Sequence, residues 1–174
     1  MSGRTHALVP AALAAVLFHA DPLLLLTAAA GGLIPDLDEP QSVIGQRFWI
    51  LAWWMKYLCG HRTVSHSLVM VLGLMVMGLL LLIPTPLVVT FGLGWGSHLI
   101  LDGLSGGILL WWPSKQRWVL GRHPVFGALD RVLMVVGMLV CVLCLLGRVT
   151  TEVRHADTQG TGHGCVFAGD DCVG

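Results

Sequence analysis

A short polar stretch in an otherwise apolar chain carries many of the residue types that could do chemistry. Residues 61–67 have the sequence His-Arg-Thr-Val-Ser-His-Ser, and strongly apolar segments lie on both sides of them. A Pro-Asp-Leu-Asp turn at residues 35–38 precedes this stretch, and His98 and Asp102 follow it. Imidazole and carboxylate groups bind divalent metals such as zinc, manganese and iron. The three clusters therefore predict a metal site, if the fold brings them together.

The spacing within two of the clusters indicates how their side chains could face one ion. His98 and Asp102 are four residues apart in an apolar segment, so they lie on one side of a helix. Asp36 and Asp38 are two residues apart, and in an extended turn both carboxylates would point to the same side. An ionisable pair inside a membrane helix is costly and points to function. The alternatives are an ordinary acidic loop and an aspartate that only hydrogen-bonds within the bundle.

The stretch at residues 61–67 contributes two more imidazoles. His61 and His66 are five apart and would lie on different faces of one helix. We therefore expect His61 in the loop and His66 in the first turn of the next helix, with Ser65 or Thr63 as its cap. Arg62 would then be placed to bind an anionic group such as a phosphate through its planar guanidinium. The alternative is a polar helix cap at the membrane interface.

The composition predicts an integral membrane protein. The chain has 174 residues, of which 55% are hydrophobic and 11% are charged, and its mean hydropathy is +0.78. A soluble domain carries roughly 25% charged residues, so this chain lacks the polar side chains to cover a globule in water. Basic and acidic residues balance to a formal net charge of zero. Because no basic patch is present, we expect no nucleic-acid partner.

The apolar segments predict an all-α, polytopic membrane helical bundle with about four spans. They fall at residues 7–34, 68–83 (extended back to 66), 87–112 and 128–146. The first block would be about 42 Å long as one helix, against a hydrocarbon core of ~30 Å. One tilted span or two shorter helices broken near Pro22 both fit that length.

Two further segments complete the predicted organisation. Residues 48–58 carry five aromatic rings, which predicts a short helix at the level of the lipid headgroups. Residues 1–147 would form the membrane-embedded domain with the metal site. Residues 148–174 form a polar tail that we predict to be disordered.

The basic residues predict the orientation. Residues 36–66 hold three of them, residues 113–126 hold three more, and the turn at 84–86 has none. By the positive-inside rule both basic loops are cytoplasmic. A multi-pass protein of the cell (inner) membrane with its metal site on the cytoplasmic side follows. We expect His19, Asp21, His123 and Asp130 to have solvated or interfacial roles.

Several motifs resemble those of the YdjM-like inner-membrane proteins, a family described as predicted membrane-bound, metal-dependent hydrolases. The resemblance lies in residues 32–38 (GLIPDLD), 61–67 (HRTVSHS) and 96–102 (GSHLILD), with Trp112-Pro113 beyond and Thr5-His6 at the start. It implies a metal site and a hydrolase activity, and it adds His6 as a ligand. His6 reaches the site only if the first block folds back near Pro22, because a single span would place it on the far side.

The residues and the resemblance together give one functional hypothesis. The expected metal ligands are His6, Asp36, Asp38, His61, His66, His98 and Asp102. They would hold one or two divalent ions, zinc or manganese, in a hydrolase that acts on a phosphoester or lipid-linked substrate at the membrane, with Arg62 binding the anion. The alternatives are a membrane protein that binds or transports metal without catalysis, and a scaffold whose histidines cap helices.

Overall fold

The computed structural model describes residues 2–59, 64–114, 116–123 and 127–161. In these ranges the chain forms seven α-helices and a 3-10 helical turn. The helices are α1 (Gly3–Leu17), α2 (Pro22–Leu33), α3 (Val43–Arg47), α4 (Trp49–Cys59), α5 (Leu68–Leu80), α6 (Thr85–Ser105) and α7 (Ala128–Thr161), and the 3-10 turn is Ile34–Asp38. An isolated antiparallel bridge joins Ile108 to Trp118, and the described residues contain no strand. The predicted all-helical fold is confirmed.

The first apolar block is a helix pair. Asp21 caps α2, because its carboxylate accepts hydrogen bonds from the backbone N–H groups that open the helix, including that of Leu23 at 2.9 Å. Pro22 occupies the first helical position, where its missing N–H costs nothing. His19 and Ala20 have positive φ angles of 54° and 55°, which reverse the chain before α2. The two helices pack against each other, so the start of α1 and the end of α2 lie at the same end of the bundle.

Helix α6 is largely buried and packs against α1, α2 and α5. Two glycines permit this close packing. A Cβ atom on Gly94 would lie 2.1 Å from the carbonyl oxygen of Ala28, and one on Gly32 would lie 2.0 Å from the carbonyl oxygen of His6. Small residues of this kind allow helix backbones to approach closely. The backbones of α1, α2 and α6 are therefore in direct contact near the end of α2.

Helix α7 is mostly exposed and runs beside α1 in the same direction. Ser2 N donates to Asp130 Oδ1 at 2.9 Å near the start of both helices. Arg148 Nη1 donates to the carbonyl oxygen of Ala20 at 3.0 Å beyond the end of α1. The stretch of α7 between these contacts is about 27 Å long at ~1.5 Å per residue, close to the ~30 Å of a bilayer core.

Helix lengths do not confirm the predicted count of about four spans. In the described part of the chain, α6 and residues 128–156 of α7 are long and apolar enough to cross a membrane, whereas α1 and α5 are shorter apolar helices. Helix α4 matches the aromatic helix predicted at 48–58; its place at the interface stays a prediction. Helix α7 continues to Thr161, so the first part of the predicted disordered tail is helical. The domain boundary at 147 stays a prediction.

The close approach of α2 and α6 can be tested with two substitutions on the same helix. Gly94→Ala should destabilise the protein by about 1–3 kcal/mol, because the new methyl group collides with the α2 backbone. Gly96→Ala is the control, since a Cβ atom there meets nothing within 4 Å and alanine favours helix over glycine by up to ~1 kcal/mol. Unfolding in detergent measures both. Equal stability of the two variants would contradict the packing.

Candidate metal centre

Four side chains from three parts of the chain converge at one point. Asp36 in the 3-10 turn, His66 in the turn before α5, and His98 and Asp102 on α6 each offer one ligand atom, and these atoms lie within 4.8 Å of one another. Three of the side chains are almost fully buried, whereas the Asp36 side chain is 17% exposed. These four residues are called the centre below.

The distances within the centre resemble those between ligands of one ion. His66 Nε2 lies 3.2 Å from His98 Nε2 and 3.4 Å from Asp102 Oδ2. His98 Nε2 lies 3.6 Å from Asp36 Oδ1 and 3.8 Å from Asp102 Oδ2. Two ligands of a tetrahedral zinc ion, each ~2.0–2.1 Å from it, are about 3.3 Å apart. The donor set therefore fits a single divalent ion.

Hydrogen bonds on the far side of each imidazole orient its Nε2 toward the centre. His98 Nδ1 lies 2.7 Å from the carbonyl oxygen of Gly32, to which it can only donate. His66 Nδ1 lies 3.0 Å from Ser65 Oγ, and Ser65 Oγ in turn donates to Asp38 Oδ2. With Nδ1 protonated in both rings, each Nε2 keeps its lone pair for a ligand. Metal-binding histidines are usually held in this way.

The charge of the surroundings favours a cation at His66. Burial by itself lowers the pKa of His66, but hydrogen bonds to Asp102 and Asp38 and the charges of these carboxylates outweigh burial and raise it to about 9. A proton, or a metal ion in its place, is stabilised by the same carboxylates.

His6 lies next to the centre and contacts Asp102 from the other side. Its Nε2 is 3.2 Å from Asp102 Oδ1, and its ring stacks on that of His98 with centroids 4.0 Å apart. The side chain is 1% exposed. The fold-back required for His6 to reach the site is present, because the α1–α2 turn brings the start of α1 beside α6.

Asp38 takes a different place from the one predicted. The prediction of an extended turn is wrong, since Asp36 and Asp38 belong to a 3-10 turn with three residues per turn. Side chains two residues apart then point in different directions. Asp36 faces His98, while Asp38 lies 3.6 Å from the Nδ1 atom of His66, behind that ring. Asp38 therefore contacts His66 from behind the ring and is not one of the four residues that converge.

The cap of α5 also differs from the prediction. Ser67 caps the helix, with its hydroxyl accepting from Met70 N at 3.3 Å, so His66 lies in the turn before the helix instead of in its first turn. That position leaves His66 outside the regular helix, where the chain can direct it toward α6. The predicted ligand His61 and the predicted anion-binding residue Arg62 lie outside the described residues.

Asp130 has a structural role that the sequence prediction missed. It was expected to be solvated or interfacial, but it is 3% exposed. Its Oδ1 accepts hydrogen bonds from Ser2 N at 2.9 Å and from Thr5 Oγ1 at 2.7 Å. Asp130 thereby anchors the first turn of α1, which carries His6. No pattern in the sequence relates residues this far apart.

The Asp130 anchor predicts a specific stability loss. Asp130→Ala leaves the buried donors of Ser2 and Thr5 without their acceptor, which should cost about 1–3 kcal/mol in unfolding free energy. Amide exchange at residues 3–8 should increase, because α1 is no longer held at its start. Arg131→Ala is the neighbouring control, since that side chain is exposed and should matter little. Unchanged exchange in Asp130→Ala would contradict the anchoring role.

Comparison with known proteins identifies relatives over most of the chain. The family model described as YdjM inner membrane protein matches residues 1–156. The Bacillus subtilis protein named "Uncharacterized protein YvsG" is 33% identical over 143 residues, which cover 79% of this chain and 89% of that protein. The inner membrane proteins YdjM of Escherichia coli and Shigella flexneri are each 35% identical over 112 residues, 59% of this chain and 54% of theirs.

This chain thus matches about half the length of those two YdjM proteins. No solved structure matches it. The family match nevertheless covers all the centre residues and His6, and the resemblance predicted from the motifs is confirmed. The chain belongs to the YdjM inner membrane protein family, and it is a membrane protein with a candidate metal-binding cluster.

Proposed function

We propose that the protein is a membrane-bound, metal-dependent hydrolase that acts on a phosphoester at the cytoplasmic face of the cell membrane. One observation carries the proposal: two imidazole nitrogens and two carboxylate oxygens converge within 4.8 Å in a largely buried place. Burying carboxylates in an apolar bundle is costly unless a cation shares them. Mixed nitrogen and oxygen donors suit zinc or manganese.

The members of the centre differ in a way that suits catalysis. His66, His98 and Asp102 are buried and supply two imidazoles and one carboxylate, a ligand set found in catalytic zinc sites that keep one position open. When bound, a divalent metal would polarise a phosphoryl oxygen and lower the pKa of an attacking water. Asp36, the fourth ligand, is the member that reaches solvent, so water would approach the ion on its side, and catalytic zinc can expand to five ligands to accept it.

A second ion would occupy the side of Asp102 that faces His6. Asp102 Oδ2 points toward His66 and His98, while Oδ1 lies 3.2 Å from His6 Nε2. In phosphoester hydrolases with paired ions, the two metals stabilise the attacking and the leaving oxygen. We assign the first ion to the four-residue centre and the second position to His6 and Asp102. Arg62 remains our proposal for the group that binds the substrate anion.

A fixed catalytic centre fits the arrangement better than an ion path. Within the described part of the chain, His98 and Asp102 lie toward one end of α6, and the opposite end of that helix opens with Thr85 and Pro86. A path for ions would need ligands repeated along the membrane depth. The centre concentrates its ligands at one level.

The same geometry supports a multi-pass topology. The starts of α1, α5 and α7 and the ends of α2 and α6 all lie near the centre, as expected of segments that alternate in direction. We propose that α1, α2, α5, α6 and α7 each pass through the membrane, five passes where the sequence predicted about four, because the first block folds back. The basic loops at 36–66 and 113–126 support a position of the centre in the cytoplasmic half of the membrane.

The topology makes a prediction for reporter fusions in a bacterial host. Alkaline phosphatase fused after Thr161 should be active, because α7 carries the chain to the outer side. The same enzyme fused after Gly121, in the second basic loop, should be inactive, and a fluorescent protein should give the opposite pattern at both points. Activity only at the Gly121 fusion would reverse the orientation and move the centre to the outer face.

The proposed metal site predicts that the metal content and the hydrolase activity of the protein depend on the same residues. The detergent-purified protein should carry about one or two equivalents of zinc or manganese, lost in both His98→Ala and Asp36→Ala, because each removes one of four converging ligands. His66→Ala should abolish phosphoester hydrolysis while the protein still inserts in the membrane. Elemental analysis and phosphate release measure the two effects.

His155→Ala is the matched control for these variants, since that histidine is exposed on α7, far from the centre. It should keep both metal and turnover. Hydrolysis that survives in His66→Ala would contradict the catalytic proposal. Full metal content in His98→Ala and Asp36→Ala would show that the converging atoms do not hold the ion.

A further inference from the structure

An apolar groove begins beside the centre and runs along α5. It lies between α2, α4, α5 and α6, has a volume of about 580 Å³, and is lined almost entirely by apolar side chains. That volume is within the range of ~300–1,000 Å³ typical of ligand pockets. The groove is thus a cavity of ligand size.

Residues next to the centre form one end of the groove. Leu37, which lines it, stands between Asp36 and Asp38 in the 3-10 turn. Trp95 also lines it, and Trp95 Nε1 donates to the carbonyl oxygen of Ser65, the residue before His66, at 2.9 Å. The groove therefore begins next to the centre. The 3-10 turn contributes residues to both, and Trp95 of the groove lining is hydrogen-bonded to the residue before His66.

The other end of the groove lies at the far end of α5, at Leu81. Its lining on α5 runs from Met70 to Gly78, about 12 Å at ~1.5 Å per residue, which is most of one leaflet of a ~30 Å hydrocarbon core. Four of its lining side chains are methionines, whose flexible thioethers adapt to ligands of variable shape. A flexible hydrocarbon chain is the kind of molecule that such a groove fits.

The headgroup end is marked by helix α4. Met55 of α4 lines the groove, and the exposed rings of Trp53, Trp54 and Tyr57 on the same helix suit the level of the lipid headgroups. An amphiphile aligned with these features would have its polar group beside Asp36 and its chain in the groove. The carboxylate-rich centre accepts an anionic group only through a bound cation, which selects a phosphate over a neutral head.

We propose that the substrate is a single-chain lipid phosphate monoester, with its phosphate at the centre and its hydrocarbon chain in the groove. The assignment of the reacting group rests on the proposed hydrolase function. In the reaction, the oxygen of water bonds to phosphorus and the bond from phosphorus to the lipid oxygen breaks. The two protons of water end on the released alcohol and the inorganic phosphate, so no other reactant is needed.

Photo-crosslinking tests the binding of the chain separately from turnover. The probe is hexadecyl phosphate with a diazirine in mid-chain, added to the full-length, metal-loaded protein in nanodiscs. We expect labels on the groove residues of α5 and α6, reduced on the order of tenfold by a roughly tenfold excess of hexadecyl phosphate over its Kd. Hexadecanol has the same chain without the phosphate and should compete far less.

Three tryptophan substitutions on α5 provide the matched set. Leu74→Trp fills the middle of the groove and should lower labelling about tenfold. Met77 also lines the groove, but its side chain is 53% exposed, so a tryptophan there should disturb folding less. Met77→Trp therefore tests the groove if Leu74→Trp does not fold. Val76→Trp is the control, because Val76 is 56% exposed and does not line the groove.

The outcomes separate this proposal from the hydrolase function. Labels spread evenly over the exposed faces of α5 and α7, or equal competition by hexadecanol, would overturn the lipid phosphate assignment even if phosphoesters are cleaved. Phosphate-dependent labelling of the groove with no release of phosphate would support the assignment and contradict the hydrolase function. Equal labelling of Met77→Trp and Val76→Trp would also overturn the groove as the binding site.

Discussion

The contact between α2 and α6 at Gly32 supports the rest of the structure. The Gly32 carbonyl oxygen lies 2.7 Å from His98 Nδ1, and a Cβ atom on Gly32 would lie 2.0 Å from the carbonyl oxygen of His6. One residue without a side chain therefore joins three helices, orients one imidazole of the centre and admits a second beside it. Because the contact is made by backbone, no larger residue can replace glycine without moving both histidines.

The centre illustrates how a membrane protein can hold many ionisable groups at one place. Asp38, Asp102, His6, His66 and His98 are nearly fully buried, although such groups are costly in an apolar bundle. Much of that cost is offset by pairing each imidazole with a carboxylate or with a backbone carbonyl. The remaining excess of negative charge is what makes a divalent cation a suitable occupant. Among the centre residues, only Asp36 is partly exposed, so solvent reaches the site from its side.

The predictions made from single segments agree with the structure where short-range spacing decides the outcome. His98 and Asp102 are four apart on a helix and do face one point, because helical periodicity alone aligns them. At Pro22 the sequence left one tilted span and two shorter helices both open, and the structure has the two helices, with Asp21 as the cap of the second. The predicted extended turn at residues 36–38 is wrong, because the chain forms a 3-10 turn there, and the predicted cap at Ser65 is wrong, because Ser67 caps α5. Several turn types suit such short polar stretches, and their tertiary contacts choose among them.

The sequence by itself determined that this is an all-helical membrane protein, and which residue types could hold a metal, because composition and helical periodicity are local properties. Only the tertiary structure decided which of the six predicted ligands among the described residues meet. It placed four within 4.8 Å, set His6 on the second oxygen of Asp102, and buried Asp130 against the start of α1. The physical reason is that these contacts depend on how closely helix backbones approach and on the turn that reverses the first block. Both follow from packing between residues that are far apart in the chain.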